Sequence, residues 1–126
     1  MYRKYHNQKT EVCGIKFDSK KEANYYLLLK EREEKGEILN LKRQVKFELI
    51  PSIWREEVKQ LKTKTKIVRR CIQKATSYIA DFVYTDPATE EDVVIDVKSK
   101  VTRLNAEYRL KKKMMLAFKG IEIKEV

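Results

Sequence analysis

Two β-rich runs, Tyr78–Tyr84 and Val93–Val97, stand on either side of Asp86–Pro87, and this hairpin constrains the fold more than any other stretch of the chain. β-Branched and aromatic residues favour a pleated surface, and an Asp–Pro pair opens a turn. If Tyr84 pairs with Val93, partner numbers sum to 177; Asp81 and Asp96 satisfy the same sum and face each other directly. Side chains alternate along a strand, so Asp96 and Lys98 share a face with each other and with Asp81. Directly paired Cβ atoms lie ~4.5–5.5 Å apart, and like charges there destabilise the pair. Two opposed carboxylates in apolar strands therefore call for a compensating cation, and oxygen ligands in a compact site suit Mg2+ or Mn2+. The alternative is a pair of edge carboxylates, one of them neutralised by Lys98. A register slip of one residue would send Asp96 to the other face.

Around this hairpin the chain reads as one α/β domain spanning residues 1–126, without internal repeats or a linker. Residues 12–17 suit a short strand or an extended arm. A helix is expected over 19–35: Ser19 and Glu22 fit a capping box, Ala23, Tyr26, Leu27 and Leu29 or Lys30 follow at helical spacing, and Gly36 is a natural stop. Glu22 either bonds back to the Ser19 N–H or begins the buried stripe, since it lies four residues before Tyr26 and seven before Leu29. Ile38–Ile50 alternates as one or two strands ending at Pro51. A second helix is expected over 102–118, with Thr102 as N-cap, Ala106, Leu110, Met114 and Ala117 as its stripe, and Gly120 as its end. Ile121–Val126 reads as a last strand.

Lys and Arg number 29 against 19 Asp and Glu, a net charge of +10, which favours a polyanionic partner. The charge is concentrated. Residues 54–76 hold eight basic groups against Glu56 and Glu57, and residues 98–113 hold seven against Glu107. Within the first segment Ile67, Val68 and Ile72 suit a strand, and Lys62–Lys66 a loop or hairpin tip. In the second, Tyr108, Lys111 and Lys112 share a helix face. Such clustering suggests a phosphate-tracking surface; the alternative is a solvated helix face. Other classes drop out. No apolar run approaches the ~18–20 residues that span a bilayer, and the N-terminus MYRKYHNQKT lacks the apolar core of a signal peptide. Cys13 and Cys71 suit reduced thiols in a cytoplasmic protein, and together with His6 they fall short of four zinc ligands. His6 is given no catalytic role, Trp54 is assigned to the core or a dimer interface, and Gln44 is placed near the site.

Asp81, fourteen intervening residues, then Asp96–Val97–Lys98, preceded by a helical Glu22, resembles the PD-(D/E)XK nuclease superfamily. FDSKKEANYY (17–26), YIADFVY (78–84), VVIDVKSK (93–100) and GIEIKEV (120–126) look like small phage-encoded nucleases grouped with Holliday-junction resolvases. The similarity covers nearly the whole chain except 52–75, which looks like a variable basic insertion. Ala80 stands where the name-giving Pro would be, and the second acid is Asp rather than Glu; both variations are common in the superfamily. The resemblance implies a restriction-endonuclease-like core, a mixed central sheet flanked by two helices. It implies that Asp81, Asp96 and the Val97 carbonyl hold Mg2+ or Mn2+, with Glu22 a further ligand, direct or through water, and that Lys98 orients or activates the attacking water. Lys100 would be a phosphate contact or a surface lysine. DNA would lie against Arg103, Tyr108, Arg109, Lys111 and Lys112, and against Lys64, Lys66, Arg69 and Arg70 of the insertion. The implied substrate is branched DNA, cut by a symmetric homodimer in the cytoplasm, which is the bacterial host's if the chain is phage-encoded. The rival readings are a nicking or restriction-type enzyme on linear duplex, and a non-catalytic basic nucleic-acid-binding protein.

Overall fold

The structure, a computed structural model, describes residues 9–126; His6 lies outside the described residues. The elements are β1 (Thr10–Val12), β2 (Ile15–Phe17), α1 (Lys20–Glu34), β3 (Leu39–Ile50), β4 (Ile53–Gln60), β5 (Thr65–Gln73), β6 (Thr76–Thr85), β7 (Asp92–Asp96), α2 (Lys100–Arg103), α3 (Ala106–Lys119) and β8 (Lys124–Glu125). The expected α/β class and element order hold. The central sheet is mixed, in the order β3-β6-β7-β8, antiparallel except for the β7–β8 pair. No described helix is long and apolar enough to cross a membrane.

Local chemistry sets the ends of the elements. β1 and β2 form a tight hairpin whose central residues, Cys13 and Gly14, both have positive φ, as a two-residue primed turn requires. Ser19 Oγ accepts the Glu22 N–H at 3.1 Å. Gly36, at φ +76°, closes α1 with two bonds, Gly36 N–H to the Glu33 carbonyl and Glu37 N–H to the Arg32 carbonyl, the pattern that a left-handed residue after a helix makes possible.

The second helical region departs from expectation. Thr102 is no N-cap: Ser99 caps the single turn of α2, and Asn105 caps α3 by accepting the Tyr108 N–H. Short polar side chains that bond forward to the backbone interrupt a helix and start another. The stripe also rotates, since the buried residues of α3 are Tyr108 and Met115 while Leu110 is exposed. On α1 the stripe is Glu22, Ala23, Tyr26 and Leu29, and Leu27 faces solvent. The expected final strand shortens to Lys124–Glu125.

Two buried clusters sandwich the sheet. One joins α1 to Phe17, Ile38, Phe82, Tyr84 and Ile95; the other joins Tyr108 and Met115 of α3 to Tyr78, Ala80, Val83, Val94 and Ile123. Burying a Leu- or Phe-sized side chain contributes ~1.5–3 kcal/mol, so these two layers hold the strands that carry the acids. Along β3 and β6 the inward side changes at one rung. Phe82 packs with the first cluster and its partner Arg43 lies over Phe17, whereas Val45 and Ala80, two residues on, belong with the second. Gln44, between Arg43 and Val45, has φ +51°, a left-handed conformation uncommon for a residue with a Cβ.

β3 to β6 form one long hairpin. Partner numbers sum to 125 from Lys42↔Val83 to Glu48↔Ser77, and again from Trp54↔Cys71 to Gln60↔Thr65, with one-residue shifts at Ile50↔Thr76 and Ile53↔Gln73. β3 ends at Ile50, immediately before Pro51 as expected, and β4 begins at Ile53 in a separate sheet. The outer half, 53–73, is a separate two-stranded arm turning at 61–64, where Leu61 N–H donates to the Lys64 carbonyl at 2.8 Å. Among the described residues it makes no extensive contact with any other element.

Candidate functional site

The β6–β7 register is Phe82↔Ile95, Val83↔Val94, Tyr84↔Val93 and Thr85↔Asp92, the pairing anticipated from the turn. The next rung is Asp81 and Asp96, and there the regular ladder gives way. Asp81 Oδ2 accepts the Val97 N–H at 2.8 Å, so Val97 enters the site through its amide. Asp96 is fully buried. The Tyr78 hydroxyl donates to Asp96 Oδ2 at 2.5 Å, and Lys98 Nζ stands 3.3 Å from Oδ1. Oδ1 is nevertheless a buried acceptor without an aligned hydrogen-bond donor among the described residues. Lys98 also lies over the Tyr108 ring, 5.2 Å from its centroid, which fixes the ammonium between aromatic face and carboxylate.

Glu22 reaches the same region from the first turn of α1. Ser19 keeps its half of the capping box, but the Glu22 carboxylate turns inward and accepts from Gln44 Nε2 at 3.3 Å. Glu22 is buried, and burial pushes its pKa up, reinforced by the Asp18 charge and opposed by Arg43 and Lys98. Asp81 is pushed up to about 8, first by burial, then by the hydrogen bond and charge of Asp96, against the lowering effect of the Val97 amide. Burial, followed by the bond to Asp96, raises the Tyr78 phenol, so this hydroxyl remains a donor at neutral pH.

A cavity of 310 Å³ opens here, lined by Asp18, Glu22, Asp81, Val97, Lys98 and Thr102 among others. A second, of 330 Å³, shares Lys98 and Thr102 and continues past Tyr78, Asn105, Tyr108 and Lys111. Among the described residues, no three carboxylate, imidazole or thiol groups converge as a ready-made metal cluster. The chemistry of the donor set still fits a divalent cation. One buried carboxylate oxygen lacks an aligned donor, and burial followed by the neighbouring Asp96 raises the pKa of the facing Asp81, a penalty that a bound cation would relieve.

The candidate nucleic-acid contacts divide. Tyr108 is buried, and Lys111 and Lys112 on its face are half-buried: Lys111 pairs with Glu107 at 3.2 Å and Lys112 with Glu125, which Arg103 also approaches at 3.5 Å. Tyr108 therefore acts as a packing and cation-holding ring, not as an outward contact. Arg109 is exposed and, with Arg103, Lys112 and Lys113, borders a cavity of 320 Å³. The Lys100 side chain lies outside the described part of the structure. On the arm, Lys66 is exposed opposite Lys59, Arg70 pairs with Glu57 at 3.4 Å, and Arg69 lies on the other face, 5.0 Å over Trp54. Lys64 sits at the tip. Trp54 is 48% exposed, which removes it from the core. Sequence reasoning misses Tyr78, Asp18 and Arg43. Tyr78 looks like an ordinary strand aromatic, and its contact with Asp96 follows from the face change at the Gln44 rung.

The fold and site together define an α/β domain with a carboxylate pair and a lysine at the end of a sheet hairpin. The chain belongs to the family described as "Protein of unknown function (DUF1064)", whose model matches residues 2–125. Searches of curated proteins and of solved structures find no match.

Proposed function

We propose that the protein is a metal-dependent DNA endonuclease with a restriction-endonuclease-like core, selective for branched DNA in the manner of a Holliday-junction resolvase. The observation that carries the reading is the buried Asp96 with Lys98 Nζ 3.3 Å away, beside the half-buried Asp81 at the end of the β6–β7 ladder. An acidic pair that cannot balance its own charge, beside a lysine in a polar cavity, suits phosphodiester hydrolysis. Asp81, Asp96 and Glu22 would hold Mg2+ or Mn2+, with the Val97 carbonyl completing the set; the cation supplies positive charge for the phosphate and a more acidic water. Tyr78 orients Asp96, Gln44 orients Glu22, and Lys98 aligns the attacking water and meets the charge developing on the phosphate oxygens. Water adds to phosphorus, the P–O3′ bond breaks, and the departing O3′ takes a proton. The products are a 3′-hydroxyl and a 5′-phosphate.

One site cuts one strand, and symmetric resolution needs two, so the working unit is a C2 dimer. The apolar side chains available to its interface are Ile53, Trp54 and Ile67, all exposed on the arm. The experiment is incubation of a synthetic four-way junction and a matching linear duplex in Mg2+ and in EDTA. Paired symmetric nicks in the junction, absent in EDTA, support the reading. Equal cutting of linear duplex favours a nicking or restriction-type enzyme. Binding without any cutting favours a basic nucleic-acid-binding module whose Lys98–Asp96 pair only supports the fold.

A further inference from the structure

The arm 53–73 carries a charge arrangement that its own fold does not explain. Register places Arg55 directly opposite Arg70 and Lys59 directly opposite Lys66, and alternation puts all four on one face. Like charges directly opposite each other destabilise a strand pair. The rung between them, Glu57↔Val68, offsets only Arg70. Among the described residues, Arg55, Lys59 and Lys66 make no ion pair. A two-stranded ribbon without a third strand or a covering helix is marginal in water, and this one leaves Val58 71% and Ile67 67% exposed. An arm so built is completed by a partner that supplies negative charge on two lines.

The spacing says which. Four residues separate Arg55 from Lys59 and Lys66 from Arg70, which at ~3.3 Å per residue puts the two cationic pairs ~13 Å apart along the ribbon. The major groove of double-helical DNA is ~12 Å wide and admits a two-stranded ribbon. We infer that the arm lies across a major groove of duplex DNA, with the Arg55/Arg70 pair on one phosphate backbone and the Lys59/Lys66 pair on the other. A second copy of this chain would bring the same charge to that face and is repelled from it, leaving the opposite face, with Trp54, Val58 and Ile67, for protein contacts. A single strand offers only one line of phosphates, without the fixed ~12 Å separation of two backbones across a groove. The inference deepens the proposed function, on which it rests for its DNA ligand. It assigns the arm to a duplex segment flanking the cut, held without regard to base sequence.

The test uses the full chain carrying Asp96→Asn, so that binding is read without cleavage. It compares this protein with one also carrying Arg55→Gln, Lys59→Gln, Lys66→Gln and Arg70→Gln, on linear duplex DNA and on a single strand of equal length across a salt series. Four lost phosphate contacts should make the log–log salt slope on duplex shallower by ~3–4, since each contributes ~0.9, and on the single strand by well under the ~3 that four contacts at ~0.7 each would give. The melting temperature should hold or rise, because two repulsive rungs are relieved. If the fourfold variant does not fold, Lys59→Gln with Lys66→Gln should change the slope by about 2. A duplex slope altered by less than about one places the arm off the groove and overturns the inference. So does a change of ~3 on the single strand, which would mean the same four contacts are made there, or loss of self-association with duplex binding intact. Cutting by the protein without Asp96→Asn is scored separately: duplex held through the arm with no cutting in Mg2+ retires the nuclease reading and leaves the groove contact standing.

Discussion

Replacing Asp81 by Asn should make the metal-free protein more stable at neutral pH while removing its activity. Asp81 faces the buried Asp96, with Glu22, Lys98 and Tyr78 as its other ionisable neighbours, and its pKa is pushed up to about 8 from an ordinary 3.8. Between those values the folded chain keeps a proton that the unfolded chain has released, so stability falls as pH rises through the window and is flat above it. The slope for one such group is at most ~1.36 kcal/mol per pH unit, so going from about pH 5 to about pH 7 should remove on the order of 2–3 kcal/mol at most. For a domain of this size that is a fall of ~10 °C in melting temperature. The Asp81→Asn side chain still offers an oxygen to the Val97 N–H but carries no titrating proton, so its contribution to the slope disappears. Glu22 is raised by burial too and leaves a slope in both proteins, which is why the difference between them is the quantity to read. Mg2+ at about one hundred times its Kd should add ~2.7 kcal/mol to the natural protein and little to the Asp81→Asn variant. The assay is a set of thermal melts across pH in EDTA and in Mg2+. A natural protein whose melting temperature is flat or rising from about pH 5 to about pH 7 in EDTA would refute the reasoning, as would an Asp81→Asn variant that falls just as steeply.

Asp96→Asn and Lys98→Ala should each abolish cleavage of a four-way junction in Mg2+ while circular dichroism and DNA binding stay close to those of the natural protein. Tyr78→Phe removes the donor to Asp96 Oδ2 and should cost ~1.5–3 kcal/mol of stability; titration calorimetry should show Mg2+ bound ~10–100-fold more weakly. Lys112→Glu sets a second negative charge against Glu125 and should lower the melting temperature. Lys113→Glu, exposed on the same helix, should leave melting nearly unchanged and weaken DNA binding, read by fluorescence anisotropy.

What the sequence made legible is what short-range chemistry decides. The 177 register of β6 and β7 follows from a turn and two β-rich runs, and those local signals alone bring Asp81, Asp96 and Lys98 together. Ser19 and Gly36 fix the ends of α1 for equally local reasons. The second helical region misled because Thr102 and Asn105 are both capable caps, and only packing decides that Asn105 begins the helix that buries Tyr108 and Met115. Pro51 reads correctly as the end of β3, because proline cannot donate to the ladder; what it does not reveal is that pairing resumes at Ile53 as a second ribbon. Least legible was Tyr78. Its hydroxyl meets Asp96 because the strand pair changes face at a rung where Gln44 takes a left-handed conformation, and an ordinary glutamine in an alternating strand gives no sign of that.

The resumption of the same pairing sum on both sides of the joint has a consequence for how relatives of this chain can differ in size. Both strands leave the sheet at Pro51 and return at Thr76 in matched step, so residues added or removed symmetrically about the tip at 61–64 leave every rung between β3 and β6 untouched. Two residues per strand preserve the outward faces, whereas one per strand turns the last rungs over. Family members should therefore vary in this stretch by even, mirrored increments, and a version trimmed back to a short turn after Ile50 should still assemble the acids. The arm is a ruler whose length selection can adjust without disturbing the site beneath it.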